Sequence, residues 1–543
     1  MRPSLERTAV GRGASGAGGP LPDVDFRMVP GTVPARRHSQ DPNLTVASGA
    51  VDPPRCPPVW LIPLLWTLAL GLWGLSRQHS VWRDEAATWQ VAQRSVTDIW
   101  HMLGQVDAVH GFYYLVMHGL FACFGPSTTT LRLPSVLAMG VAVTCVAVIG
   151  RRLAGFWAGL AGGLAFGLLP AVQFYLQEGR PYAMVAAGAG LSTLLLVSAL
   201  EGRARTALWA AYAGAVAVCG LLNWLALLIL PAHLLTLLWT RPGRGTWRRW
   251  AMAAAAVVAT VLPLILFSRR QAHQVSWIPP LTWHMLIGPA VLLAIGALGA
   301  LLDPSRRGRL SVTAVGLPLL AVPQVCLIGL SAIRPLFVDR YVLFSMLGLA
   351  LLIGAALAAA VRAAGRRFPR ASSWLVPVVV TLAVVTLLPQ LLANRSPESR
   401  VDDVLTVATD VRRLKEAGDA VLFVPAARRD TALVSPHDFS GLRDIALAVG
   451  PEVSGTLKGE EASPARIRSA MLAQDRILLV TDAPEVARPV SAQRDKVKAR
   501  VLEEYFTVVA DEQVRGRRVT VYQRSSPHGR FTGGRLPSTG GAR

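Results

Sequence analysis

Asp84 and Glu85 stand side by side in the stretch SVWRDEAATWQVAQRS, residues 80–95. Adjacent carboxylates suit two kinds of work: taking a proton from an attacking hydroxyl or amine, or capping the first turn of a helix. A second set of polar groups follows in VDAVHGFYYLVMHGLF, residues 106–121, which carries His110, Tyr113 and Tyr114. A third, FYLQEGRPYAM (174–184), holds Glu178, Arg180 and Tyr182, and a fourth, RPLFVDRYVLFSMLGLALL (334–352), holds Arg334, Arg340 and Tyr341. Guanidinium groups carry a fixed positive charge and a planar fork of donors that pairs with oxyanions. Three of the sets also have a plainer use. Asp84 and Glu85 fit a solvated helix start, His110 fits packing beside aromatics, and Arg340 fits an interfacial anchor.

The elements that must position these groups are apolar. The chain of 543 residues is 52% hydrophobic and 16% charged, against about 25% charged in soluble domains. Its mean hydropathy is +0.41. Apolar runs at 59–76, 132–150, 155–175, 182–200, 206–221, 223–239, 250–267, 283–302, 311–332, 340–361 and 374–392 approach the ~20 residues a membrane helix needs. A polytopic α-helical membrane protein with about eleven spans is expected. The net charge of +22 is concentrated in short loops, at Arg151 and Arg152, Arg203 and Arg205, Arg241 to Arg249, Arg306 to Arg309, and Arg362 to Arg370. Such clusters hold loops on the cytoplasmic side, whereas a nucleic-acid footprint would be a basic face on a soluble fold. No nucleic-acid partner is expected. Membrane lipids are.

With the N-terminus in the cytoplasm, every one of these clusters lies inside. The segment 112–124 is short for a span and reads as an interfacial or re-entrant helix. The loop 77–131, the corner 176–181, the loops 268–282 and 333–339, and everything after 393 then lie outside. All four polar sets fall on that one face of the plasma membrane, which makes it the candidate active site.

Four regions are expected along the chain. Residues 1–58, rich in Gly, Pro, Ser and Arg and without the apolar core of a cleavable signal peptide, read as a disordered cytoplasmic tail. Residues 59–393 form the transmembrane catalytic domain, and 394–530 an extracytoplasmic α/β domain. In the latter, strands at 420–425, 476–481 and 518–523 alternate with helical patterns at 401–417 and 464–474. No Gly-rich phosphate loop precedes these helices, so the domain reads as a cap over the membrane site. Residues 531–543 read as a second disordered tail. The five cysteines show neither metal-ligand spacing nor a disulfide framework.

The order of motifs is more specific than any one of them. A loop-borne Asp-Glu, then His110-x-x-Tyr113-Tyr114-Leu, then Arg-Leu-Pro-Ser at 132–135, then Glu178-x-Arg180-x-Tyr182-Ala resembles the family 39 glycosyltransferases. These belong to the GT-C superfamily, with the protein O-mannosyltransferases and the aminoarabinose transferase of lipid A. The Pro…Arg340-Tyr341 opening a late helix and the closing GRRVTVYQR are similar to bacterial members, so the resemblance runs over roughly 80–524. The chain departs from the family at His110-Gly111-Phe112, where many members carry His-Pro-Pro, and has Glu178 where members often have Asp.

The resemblance implies a GT-C fold. It implies that a sugar, with mannose the expected one, passes with inversion from a polyprenyl-phosphate donor to an envelope glycan, lipid or protein acceptor. It places Asp84 as general base with Glu85 beside it. His110, Tyr113, Tyr114, Glu178, Arg180 and Tyr182 are expected to bind acceptor or donor, and Arg340, with Arg334 and Tyr341, to hold the lipid phosphate. No cofactor is expected; the sequence contains no dedicated metal-ligand set and leaves dependence on a divalent metal open. Two other readings stand beside this one: a transporter or flippase for a lipid-linked envelope precursor, and an inactive homologue that binds glycolipid.

Overall fold

The structure is a computed structural model that describes residues 58–75, 80–203, 205–271, 277–303 and 310–525. The two expected terminal tails lie outside the described residues but for Pro58. The described part opens with α1 (Leu61–Leu72), α2 (Arg83–Ala92), α3 (Val96–Gln105), α4 (Gly111–Phe124), α5 (Thr128–Ala154), α6 (Phe156–Leu168), α7 (Pro170–Tyr175) and α8 (Tyr182–Ser198). Further helices follow at Thr206–Leu222, Ile229–Thr240, Arg244–Ser268, Ile287–Leu302, Val312–Ile333, Met346–Arg367 and Leu375–Ala393.

Among the described residues, 7 helices are long and apolar enough to cross a membrane. The remaining four expected spans are helical but shorter: Leu61–Leu72, Phe156–Leu168, Thr206–Leu222 and Trp224–Thr240. The run 155–175 is cut where Leu169 adopts an extended conformation before Pro170, which begins α7 as its first residue. Proline lacks the amide that would continue the helix and biases its predecessor away from helical angles. The segment 112–124 lies within the apolar helical stretch Ala108–Phe124, below spanning length by the same criterion.

The bundle core forms where α5 meets α6 and α8, and where α6 meets Met346–Arg367. Backbones touch there: a Cβ added at Gly354 would fall 2.4 Å from the Ala158 carbonyl oxygen. Small residues allow such approach, which is how helices gain dispersion energy where lipid is as apolar as the core. One polar chain crosses four helices. Trp250 Nε1 donates to Tyr212, Tyr212 to His233 Nδ1 at 2.9 Å, His233 Nε2 meets Thr193 at 3.1 Å, and Thr193 donates to the Ala189 carbonyl.

After residue 400 the chain builds an α/β sandwich. Strands β1 (Ala420–Val424), β2 (Arg443–Asp444), β3 (Leu447–Val449), β4 (Glu460–Glu461), β5 (Arg476–Asp482), β6 (Phe506–Val514) and β7 (Arg517–Arg524) are present. Five of them make one sheet in the order β2-β1-β5-β7-β6. β1 runs parallel to β2 and β5, and β7 antiparallel to β5 and β6. Residues alternate between faces. Val421 and Phe423 pack with Val407 and Val411 of helix Val404–Leu414. Leu422 packs on the other face with Ile467, Met471, Val501 and Leu502. The three expected strands and both expected helices are all here. The edge strand β6 and helix Gln493–Tyr505 complete the layer.

This sheet docks on the bundle through the loop that carries Asp84. The amide of Arg83 donates to Asp402 Oδ1 at 3.0 Å, and the amide of Val404 to the Val81 carbonyl at 2.8 Å. Asp402 in turn accepts from Arg517 of β7 at 3.0 Å, and Arg517 also holds Asp430. Arg400 lies 4.1 Å over the Phe174 ring and donates to the Phe174 and Gln177 carbonyls.

Candidate active site

Two short connections meet here. The first is the start of α2. Asp84 and Glu85 occupy its first turn, as an N-terminal acidic pair should. The two diverge in environment. Glu85 is fully buried and accepts from Arg132 Nε at 2.8 Å and Nη2 at 2.6 Å, while Arg132 also donates to the Ser80 carbonyl. The amide of Gly179 donates to Glu85 Oε1 at 2.8 Å. Burial pushes the Glu85 carboxyl up, but the charges of Arg132 and Arg400 and these hydrogen bonds outweigh it, and the net shift is downward. Glu85 is therefore a buried anion whose bonds join α2, α5 and the corner before α8.

Asp84 points elsewhere. Its Oδ2 lies 3.2 Å from Arg340 Nη1, with both side chains partly exposed. The Arg340 guanidinium sits in an aromatic box, 5.9 Å from the Trp82 ring, 5.7 Å from Tyr182 and 5.8 Å from Trp277. Tyr341 stands next to Tyr182, ring centroids 6.3 Å apart. Aromatic faces attract the cation and keep its planar fork in one orientation.

The second connection is the corner between α7 and α8, and it is clamped by its backbone. Ser135 donates to the Glu178 carbonyl, Thr88 to the Gly179 carbonyl, and Gln177 to the Gly71 and Trp73 carbonyls. A Cβ at Gly179 would fall 2.4 Å from Leu131 Cγ, so only glycine lets the corner approach this closely. The clamped backbone presents Glu178, which is buried; neither carboxylate oxygen has a hydrogen-bond partner among the described residues. Burial, with the Glu85 and Asp84 charges added, pushes its carboxyl up to about 7 against the opposing pull of Arg400 and Arg340.

Arg180 ties the connections together. It donates to the Asp84 carbonyl at 3.3 Å, to Thr88 at 3.4 Å and to His110 Nε2 at 2.9 Å. Because Arg180 can only donate, His110 Nε2 accepts and Nδ1 carries the proton toward Asp107 Oδ1, 2.8 Å away. Tyr114 donates to the other Asp107 oxygen. Burial raises the Asp107 carboxyl, His110 and Arg180 overcompensate, and it ends below the usual carboxylate range. Tyr113 is buried, and its hydroxyl has no partner among the described residues.

The structure thus brings together Asp84, Glu85, His110, Tyr114, Glu178, Arg180, Tyr182, Arg340 and Tyr341, with Tyr113 on the same helix as Tyr114. Arg334 is exposed, and no ion pair ties it to this cluster among the described residues. Sequence reasoning missed the partner roles of Arg132, Ser135, Thr88, Asp107, Arg400 and Asp402. The one available signal was Arg132 inside the Arg-Leu-Pro-Ser motif, a charge at the start of an apolar run. Among the described residues no group of three His, Cys, Asp or Glu side chains is placed to hold a metal ion.

No family model matches the chain, and no curated protein matches it. Solved structures do. ArnT from Cupriavidus metallidurans, bound to undecaprenyl phosphate, superposes with a TM-score of 0.56 at 15% identity, over 85% of this chain and 97% of that one. Its apo state gives the same figures. The archaeal oligosaccharyltransferase AglB from Archaeoglobus fulgidus, in complex with an inhibitory peptide and a dolichol-phosphate, is 10% identical over 86% of this chain and 74% of that one, with a TM-score of 0.48. The helical bundle with its docked α/β sheet has the GT-C fold of membrane glycosyltransferases.

Proposed function

We propose that this chain transfers a sugar from a polyprenyl-phosphate donor to a cell-envelope acceptor, on the extracytoplasmic face of the plasma membrane and with inversion at the anomeric carbon. Mannose is the first sugar to try. The N-terminus is then cytoplasmic and the α/β sheet extracytoplasmic. The observation that carries this reading is the Asp84–Arg340 pair at 3.2 Å, boxed by aromatics, together with the Glu178 carboxyl that has no hydrogen-bond partner among the described residues. A base for the acceptor and a cation for the phosphate are the two ends of one displacement, and here they touch.

The chemistry follows from that contact. Asp84 takes the proton of the acceptor hydroxyl as its oxygen bonds to the anomeric carbon. The bond from that carbon to the phosphate oxygen breaks, and the polyprenyl phosphate departs with the electron pair. Protonation cancels the charge of Asp84, so the Arg340 guanidinium is freed for the leaving phosphate at the moment it needs a counterion. Glu85 holds α2 in place through Arg132. Glu178 offers a carboxyl to a donor or acceptor hydroxyl, and Arg180, with His110 and the Tyr113–Tyr114 pair, frames the acceptor side. Tyr182 and Tyr341 wall the phosphate side.

The test is sugar release and transfer by the full chain in lipid, with a panel of polyprenyl-phosphate sugars, comparing wild type with Asp84→Asn. Transfer falling by about 10²–10⁴-fold while donor-dependent thermal stabilisation persists supports Asp84 as base. Stabilisation without turnover by the wild type, for every acceptor tried, would turn the reading to a binding or transport protein.

A further inference from the structure

The turn that leads into α4 passes through a backbone position that few residues accept. Asp107 has φ 62° and ψ 29°, in the left-handed region that glycine adopts most easily and aspartate tolerates. Gln271, the last residue of the helical stretch Arg244–Gln271, clamps this turn. Its Oε1 accepts from the Ala108 amide at 3.0 Å, and its Nε2 donates to the Leu103 carbonyl at 2.9 Å. The backbone of the turn thus has a clamp of its own, and a glycine at 107 would serve that backbone at least as well. The aspartate has to be explained by what its carboxylate does.

That carboxylate faces the site. Its Oδ1 lies 2.8 Å from His110 Nδ1, and its Oδ2 accepts from Tyr114. Across the imidazole, Arg180 Nη2 meets His110 Nε2 at 2.9 Å. A neutral imidazole has one N–H, and only with that hydrogen on Nδ1 can Nε2 accept from Arg180. An ionised carboxylate only accepts, so it excludes the tautomer that would turn an N–H toward the guanidinium. Of the contacts Arg180 makes, the imidazole is the shortest; the Asp84 carbonyl and the Thr88 hydroxyl lie at 3.3 and 3.4 Å.

We propose that Asp107 is a positioning residue for the transfer: it fixes the His110 tautomer and, through His110, holds Arg180 against the first turn of α2, where Asp84 sits. The inference rests on the glycosyltransferase reading above. The contacts run in series from Asp107 to His110, to Arg180 and to the Asp84 carbonyl. Asp107 reaches the reacting groups only by way of the imidazole, and a loosened ring is felt as a displaced base.

The experiment uses the full chain in lipid nanodiscs with nitrogen-15 histidine, at about pH 8, above the ordinary histidine value of about 6.5. Solid-state nitrogen spectra separate a protonated ring nitrogen from a bare one, and His110→Ala identifies the signals among the 10 histidines. The wild type should carry the hydrogen on Nδ1 of His110. Asp107→Gly keeps the turn and removes the carboxylate; it should release the ring to a mixture of tautomers and lower transfer about ten- to a hundredfold. Asp107→Asn, which tolerates the same backbone and keeps one acceptor oxygen, should fall between. In a His110→Ala background, adding Asp107→Gly should cost less than about twofold more, because its route is already cut. Transfer by Asp107→Gly equal to or above wild type, equal losses in the two backgrounds, or a hydrogen on Nε2 in the wild type would each overturn the proposal. A tautomer fixed in the wild type and released in Asp107→Gly, with no transfer by the wild type from any donor, would leave the Asp107–His110 coupling standing and remove the glycosyltransferase reading. Transfer by the wild type with a tautomer that ignores Asp107 does the reverse.

Discussion

Replacing Arg132 with Met would leave Glu85 buried without the guanidinium that offsets its burial. In the structure Glu85 accepts two hydrogen bonds from Arg132, at 2.8 and 2.6 Å, and one from the Gly179 amide, with no exposure to solvent. Breaking a buried pair by removing one partner costs about 3–5 kcal/mol, most of it the uncompensated charge. Because Glu85 joins α2 to the corner before α8, the loss should appear first as local opening of those two connections. At 1.4 kcal/mol per tenfold, the middle of that range is about a thousandfold in the opening equilibrium. Hydrogen exchange followed by mass spectrometry reads this directly, in peptides covering 80–92 and 176–182, with the β5–β7 strands as an internal control. Glu85→Gln combined with Arg132→Met removes both charges while keeping an acceptor for the Gly179 amide, and should recover most of the protection. Protection unchanged in Arg132→Met, or a double variant no better than the single one, would refute the latch.

Other outcomes follow from the same site. Glu178 has a folded-state pKa of about 7 against 4.5 for the free side chain. The folded state therefore holds the proton between those values and the unfolded state does not, so this group favours folding below about pH 4.5 and its contribution is lost as pH rises to 7, on the order of 3 kcal/mol. The stability of Glu178→Gln relative to wild type should rise across that window in pH-dependent thermal melts, and a flat difference would contradict the buried, unpartnered carboxyl. Arg340→Lys keeps the charge and loses the planar fork boxed by Trp82, Tyr182 and Trp277. Donor affinity measured by thermal stabilisation should fall about tenfold, and an unchanged affinity would take Arg340 out of the phosphate site. Gly179→Ala drives a methyl toward Leu131 and should cost about 1–3 kcal/mol; combined with Leu131→Ala, the total should be less than the sum of the single losses.

The bundle was legible from hydropathy because each helix must bury its backbone bonds inside itself in lipid, so composition reports it directly. Where legibility failed, polar residues were the reason. Helix α5 begins at Thr128, capped by Ser127, before the apolar run starts at 132, and Arg132 then sits inside it, charged yet fully buried. Nothing local to Arg132 says that its partner is Glu85, 47 residues away, because pairing of this kind is a tertiary fact. The same holds for Arg400 and Asp402, which read as the start of a soluble domain and turn out to grip the corner and the Asp84 loop. β6 escaped notice because Thr507 to Val509 face solvent at the sheet edge, so it has little of the burial pattern that marks a strand. Asp84 and Glu85 looked equivalent as neighbours. The α-helical turn sends them to different surroundings, one to a cation in an open box and one to a sealed pair.

The clasp around Asp402 bears on how this architecture can change. Arg83 and Arg517 share one carboxylate, so the two halves of the chain are not modules that meet at a neutral seam. A chimera joined at the end of the last apolar helix would import a foreign residue at that carboxylate and leave Arg517 buried without its full complement of anions. A graft that keeps residues 400–404 with the bundle, and matches them with an arginine on the incoming sheet, would preserve the joint. Variation of the sheet's surface is then confined to positions away from the clasp, and the loop that carries Asp84 constrains both sides of the exchange.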